Sequence, residues 1–172
     1  MELKVKHPLS KKEVKEIIHE MGEIFGDEIA KKMLNKKDRV EVAEFDKTTE
    51  ILLVNGKPFF IRRRGLVFPL VIALYELSNE EDLRKWPRRV VVDAGAVPFV
   101  IKGADVMAAG IVDADENIGE GDFVFVIEEE YGRPLAIGVA LMTGKAMKEK
   151  PKGKAVKNIH HAKDRIWELT VG

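Results

Sequence analysis

Cysteine is absent from the 172 residues. That removes disulfides, thiolate metal ligands and a cysteine nucleophile together, and it points to a reducing, cytoplasmic setting rather than a small secreted scaffold. Serine is nearly as scarce, with only Ser10 and Ser78. Each stands three residues before a glutamate, Glu13 and Glu81, which reads as helix capping rather than nucleophilic catalysis. Net charge is lacking as well: Lys+Arg and Asp+Glu are 29 each, so the whole molecule offers nucleic acid no attraction and any such role must come from local asymmetry. No apolar run approaches the length that spans a bilayer, and residues 1–6 have no long apolar stretch behind them, so neither membrane anchor nor export signal is expected. What is present is ample. With 45% hydrophobic residues the chain can fill one good-sized core or two small ones. Abundant Lys and Glu without Cys also suits a heat-adapted protein.

The charges are sorted along the chain. Asp105, Asp113, Asp115, Glu116, Glu120, Asp122, Glu128, Glu129 and Glu130 form an acidic middle stretch opposed by Lys102 and Arg133. Lys145, Lys148, Lys150, Lys152, Lys154, Lys157, Lys163 and Arg165 then reverse the sign. Further basic clusters stand at Arg62-Arg63-Arg64 and at Arg84-Lys85 with Arg88-Arg89. The pattern predicts two faces of opposite sign, with the acidic loop around 113–120 turned away from any phosphate.

Ser10 and Glu13 make a capping box ahead of Val14, Ile17, Ile18 and Met21 at helical spacing, so the first helix starts there. A short second helix through Ile29, Met33 and Leu34 follows the break at Gly26. Strands are expected at Val40, Val42 and Phe45 and over 51–54. Asn55-Gly56 predicts a type I′ hairpin turn, which needs positive φ at both central positions, with Phe59, Phe60 and Ile61 on the returning strand. Pro69 opens a helix through Leu74 and Leu77 that ends near Ser78-Asn79. Beyond the connector Trp86-Pro87-Arg88-Arg89, short apolar runs punctuated by glycine (90–92, 123–127, 135–142, 166–169) have the rhythm of a small mixed β-barrel. The boundary falls near residues 80–89, giving an α+β unit over 1–84 and a β-rich unit over 85–172.

Several chemical motifs start and do not finish. Asp113, Asp115 and Asn117 alternate as in a calcium loop, but Ile118 and Val124 occupy the places of its glycine and bidentate glutamate. Gly144-Lys145 lacks both the first glycine and the hydroxyl of a phosphate loop. His160-His161 should point to opposite faces of a strand, one ring buried and one exposed, and no further ligands complete a metal spacing. No catalytic constellation, metal site or cofactor is expected.

The informative stretch begins at Val90: Val-Val-Val-Asp-Ala-Gly-Ala-Val-Pro-Phe-Val-Ile-Lys-Gly-Ala-Asp-Val-Met-Ala-Ala-Gly-Ile. Residues 96–101 supply one short apolar helix, and Gly103-Ala104 removes side-chain bulk where another backbone could approach closely. With Asp93, Gly95, Phe99, Asp105, Met107 and Gly110, and with Gly138-Val139-Ala140 downstream, this strand, helix, glycine turn and strand strongly resemble the opening of a PUA domain. Lys157-Asn158-Ile159-His160-His161 and Asp164-Arg165-Ile166-Trp167 look like the C-terminal signature of the malignant T-cell amplified sequence family. Residues 51–56, Phe59-Phe60, Arg64-Gly65 and Phe68-Pro69 are similar to that family's N-terminal domain. Ala108-Ala109 departs from the proline common before Gly110, and His161 and Arg165 depart from an aromatic residue and a glycine in eukaryotic relatives.

The resemblance implies an α+β N-terminal domain followed by a mixed β-barrel PUA domain, and a non-enzymatic, cytoplasmic, RNA-binding translation protein. It implies contact with the small ribosomal subunit or initiator tRNA in initiation, reinitiation or recycling, and a density-regulated protein as partner, with no role for DNA or membrane. The alternative is an adaptor for ribosome biogenesis or RNA modification that binds structured rRNA or tRNA. On this reading Lys102, Gly103 and Ala104 approach an RNA minor groove or terminus. Lys145, Lys154, Lys157 and Arg165 neutralise flanking phosphates, and Arg62, Arg63 and Arg64 extend the contact. Phe59, Phe60, Trp167 and Met107 are assigned to packing rather than to nucleotide contact.

Overall fold

The structure, a computed structural model, describes residues 3–149 and 151–171. The N-terminal part comprises β1 (Lys4–Pro8), α1 (Lys11–Phe25), α2 (Asp27–Met33), β2 (Val40–Glu44), β3 (Thr49–Val54), β4 (Lys57–Arg63), β5 (Leu66–Pro69) and α3 (Val71–Leu77). The capping box forms as expected: the Ser10 hydroxyl accepts from the Glu13 amide and the Glu13 carboxylate accepts from the Ser10 amide, each at 3.1 Å. Val14, Ile17, Met21 and Phe25 then turn inward from α1. Asn55 and Gly56 take φ of 51° and 85° between Val54 and its partner Lys57, the two-residue turn anticipated from their chemistry. The strands pair antiparallel in the order β1-β2-β3-β4-β5. Strand β1 had no sequence signal, because every residue of this edge strand is exposed and no buried face imposes an alternation.

The C-terminal part comprises β6 (Arg89–Val92), α4 (Val97–Val100), β7 (Val106–Met107), β8 (Ile111–Ala114), β9 (Phe123–Glu128), β10 (Pro134–Ala140), α5 (Gly144–Lys148), β11 (Lys154–His161) and α6 (Arg165–Val171). Its strand order is β7-β11-β10-β9-β6-β8, and the parallel pairing of β6 with β9 makes this nearly closed, barrel-like sheet mixed. An N-terminal sheet-and-helix unit followed by a mixed barrel is the architecture the sequence predicts.

Two local readings are corrected. Ser78 does not cap a helix start: it closes α3, donating its hydroxyl to the Tyr75 carbonyl at 2.6 Å. The run 166–169 is not a strand of the barrel but lies within α6, because the Asp164 carboxylate accepts the Trp167 amide at 2.8 Å and caps a helix there. A run of four residues with three apolar ones, Ile166, Trp167 and Leu169, is too short to show a period that separates the two states.

Strand β9 explains how the halves join. All six of its residues are buried, and alternation divides them. Val124 and Val126 enter the barrel interior with Val90, Val92, Ala136 and Val156. Phe123, Phe125 and Ile127 face a second core shared with Val14, Met21, Phe25, Phe60, Phe68 and Leu74 of the N-terminal part. Aromatic rings bridge the seam: Phe68 stacks on Phe123 at 5.5 Å between centroids, and Trp86 meets Phe25 at 5.5 Å and Phe125 at 6.4 Å. The connector is therefore no free linker, since Trp86 is buried in this seam. A continuous apolar run such as 123–127 is what burial on both faces demands.

One polar group sits in the seam. His160 is fully buried, its Nε2 accepting the Val71 amide at 3.2 Å and its Nδ1 lying 2.9 Å from the Asp164 carboxylate. These partners fix the neutral tautomer with hydrogen on Nδ1. The Val71 amide is one of the unpaired donors at the start of α3, so a histidine from the barrel satisfies a helix terminus in the other half. Burial alone would raise the Asp164 carboxyl, but hydrogen bonds from His160 and from the Trp167 and His161 amides outweigh it and hold the group below its ordinary value. Among the described residues no helix is long and apolar enough to cross a membrane.

Candidate nucleic-acid interface

Helix α4 ends in a turn at Lys102-Gly103-Ala104 that leads into β7, and Gly103 takes a φ of 97°. Only glycine adopts this conformation without strain. A Cβ at Gly103 would also lie 3.2 Å from Nε2 of His161. The sequence anticipated a close backbone approach here; what approaches is a side-chain ring. Its Nδ1 bonds the Ala162 carbonyl at 2.8 Å, which places the hydrogen on Nδ1 and leaves Nε2 toward the turn.

Phe99, Gly103, Ala104, Asp105, Met107 and Lys154 line one open recess of about 480 Å3. Two of its walls are large apolar side chains in water, Phe99 at 67% and Met107 at 48% exposure. Met107 is thus not barrel packing: in β7, Val106 turns inward and Met107 outward. Phe99 carried no usable periodicity, because a helix of four residues is too short to show which side faces the core. Lys154, opposite Met107 in the β7–β11 pairing, bonds Asp105 at 3.2 Å. The Asp105 carboxyl is held below its ordinary range chiefly by the Asn158 amide, with Lys154 adding to the effect. Lys102 and Lys157 stand exposed, and among the described residues neither has a carboxylate within ion-pair distance. Lys154 and Asp105 thus line the recess together, Lys102 stands in the adjoining turn, and Lys157 is near enough to Asp105 to help hold its carboxyl down.

The other basic residues singled out from sequence are placed apart from the recess. Arg62 pairs with Glu50 at 2.9 Å on the N-terminal sheet, beside Glu13, Glu16 and Glu20. Arg63 and Arg64 belong to the end of β4 and its turn into β5, where Arg64 has a φ of 51°. The Arg165 guanidinium lies over the Phe45 ring at 5.3 Å from its centroid. Lys145 is exposed on α5, a helix packed on β8.

The two charge runs do not separate into two faces as expected. Lys148 of α5 reaches Asp113 at 3.7 Å and Glu116 at 3.4 Å, so part of the basic run neutralises part of the acidic one. Arg89 pairs with Asp113 at 3.1 Å, and the Arg88 amide donates to Asp115 at 2.7 Å. Asp115 also accepts the Asn117 amide at 3.0 Å, so the alternating acids build a turn. Gly144 belongs to packing, since a Cβ there would overlap the Asp115 carbonyl. Phe60 is fully buried, Phe59 is half-buried against it, and Trp167 is half-buried with Tyr75 across its ring, which agrees with packing roles for all three.

The mixed barrel with its α4, glycine turn and β7 defines the class: residues 88–162 match the PUA domain, and residues 5–76 match a domain of unknown function, DUF1947. The chain belongs to the family of two-domain PUA proteins that includes the malignant T-cell-amplified sequence proteins. It is 46% identical to an uncharacterized protein of Methanocaldococcus jannaschii over 98% of this chain and 99% of that one. It is 28% identical to malignant T-cell-amplified sequence 1 of Rattus norvegicus, covering 80% of this chain and 74% of the relative. Identity to translation machinery-associated protein 20 of Saccharomyces cerevisiae is 24%, over 84% and 80%. The crystal structure of a hypothetical protein from Pyrococcus horikoshii superposes with a TM-score of 0.92 at 76% identity, over 96% and 99% of the two chains.

Proposed function

We propose that this protein binds structured RNA through the rim around Gly103 and works without catalysis in the cytoplasm, at the small ribosomal subunit or with initiator tRNA, during initiation, reinitiation or recycling. The observation that carries the reading is the pairing of water-exposed Phe99 and Met107 with Lys154 around one recess of a PUA barrel, with exposed Lys102 in the adjoining glycine turn and exposed Lys157 further along β11. Two apolar walls offer contact to a nucleobase or ribose, and the lysines meet phosphates. The translation assignment rests on the similarity to translation machinery-associated protein 20 of Saccharomyces cerevisiae, and a density-regulated partner protein is part of the same reading.

Lys145 and Arg165 lie further along the same half of the chain and serve as outlying phosphate contacts. Arg63 and Arg64 extend contact toward rRNA or a protein partner, while Arg62 contributes less because Glu50 already neutralises it. Equilibrium binding to purified small ribosomal subunits and to initiator tRNA, repeated across a salt series, tests the proposal. Affinity should fall log-linearly with salt. Absent or salt-independent binding to both targets overturns it.

A further inference from the structure

We infer that Asn158 is the positioning residue of the RNA-binding turn, a reading that rests on the proposed RNA-binding function. The Asn158 side-chain amide donates from Nδ2 to the carbonyls of Val100, at 3.1 Å, and Ala104, at 3.0 Å. These two carbonyls bracket the Lys102-Gly103 turn, one at the end of α4 and one at the entry to β7. Its backbone amide donates to Asp105 at 2.9 Å, and the other oxygen of Asp105 holds Lys154 at 3.2 Å. One residue thus fixes both ends of the turn and, through Asp105, the lysine across the recess.

The amide is oriented for its donors. Its Oδ1 is buried and finds no donor among the described residues. Leaving that acceptor unpaired is unfavourable. A flipped amide would set oxygen against two carbonyls, so the two donated bonds decide the orientation.

Strand geometry brings Asn158 here. Between β10 and β11 the register passes from Ile137↔His160 to Gly138↔Asn158, leaving Ile159 as an extra residue. Without that bulge, Asn158 and His160 would share a face, and Asn158 and His161 would lie on opposite ones. With it, His160 enters the seam while Asn158 and His161 both reach the turn, Asn158 by its two bonds and His161 by its contact with Gly103. Gly138 permits the close passage of β11, since a Cβ there would collide with Val156 and the Lys157 carbonyl.

The test compares the full-length protein with Asn158→Leu, which keeps the approximate size, adds no charge and removes both donors. Asn158→Ser is the milder variant, read in the same way should the leucine protein fail to fold. A refolded initiator tRNA transcript and purified small subunits are the probes, and Lys102→Glu/Lys157→Glu reports on the RNA face independently. The expected result is a loss of affinity of about tenfold, as a turn no longer preorganised has to be ordered on binding. Faster amide hydrogen exchange confined to residues 100–107 should accompany it, with the melting temperature nearly unchanged.

Wild-type affinity in the Asn158 variants, beside a weakened lysine double variant, overturns the positioning role and leaves the RNA face standing. A parallel fall of affinity and melting temperature with exchange spread through the barrel also overturns it, since that marks a structural role alone. If wild type binds neither probe, the RNA reading fails and takes this inference with it.

Discussion

The seam between the two sheets and the rim around Gly103 share one strand, β11, and are built on opposite terms. The seam is closed: Phe123, Phe125 and Ile127 meet the N-terminal core, and its one buried histidine has a protein partner on each ring nitrogen. The rim is open, with large apolar side chains in water, and while Asp105 holds Lys154, nearby Lys102 and Lys157 have no carboxylate within ion-pair distance among the described residues. Groups matched to one another inside the protein hold it together. Groups left unmatched are what a ligand can use, so lysine content alone does not mark a site. Arg62, paired with Glu50, and Lys148, paired with Asp113 and Glu116, are as basic as Lys102 and are already occupied.

The contrast breaks if seam variants alter intrinsic RNA affinity or rim variants alter stability. Phe125→Ala should have the largest effect, a loss of about 3–5 kcal/mol from the cavity left between the cores, read by chemical denaturation. The folded fraction should keep wild-type RNA affinity. His160→Ala should follow at about 2–4 kcal/mol, because it strands the Val71 amide and removes a donor from Asp164. The acid limb of stability checks the same latch. A carboxyl depressed in the folded state contributes fully above its unfolded value and loses that contribution as pH falls through the lower folded value. The ordinary value is 3.8 and Asp164 lies below it. The melting temperature should therefore drop more steeply below about pH 4 in wild type than in Asp164→Asn.

At the rim, Lys154→Glu/Lys157→Glu should weaken RNA binding by about tenfold or more and flatten its salt dependence, with the thermal transition nearly in place. The smallest effect sharpens the comparison most. Gly65 has a φ of 79° beside Arg64, as Gly103 has 97° beside Lys102, yet a Cβ at Gly65 would meet nothing within 4 Å. Gly65→Ala should cost about 1–2 kcal/mol of backbone strain and leave RNA affinity unchanged. An affinity loss there would move the RNA face onto the N-terminal sheet.

Much of this was legible in the residues. The capping box placed α1 and Asn55-Gly56 placed the hairpin, because each signal is local and its geometry is fixed by a few residues, while 90–111 pointed to the barrel opening through its resemblance to a PUA domain. Phe99 and Met107 were less legible: a four-residue helix and a two-residue strand give no period from which to read a face. Asn158 stands in the sequence only as one residue of a C-terminal signature, since nothing local distinguishes a clamp from any other strand asparagine.

The sequence by itself determined the elements with strong local chemistry, the order of an α+β unit and a mixed barrel, and the turn at Gly103. Only the tertiary structure decided which charges cancel and which stay open, that β9 serves two cores, and that a bulge at Ile159 sends His160 to the seam and Asn158 to the turn. The reason is physical. Capping and turn conformation depend on neighbours a few bonds away, whereas pairing, burial and register depend on residues far apart in the chain, 89 positions in the case of Val71 and His160.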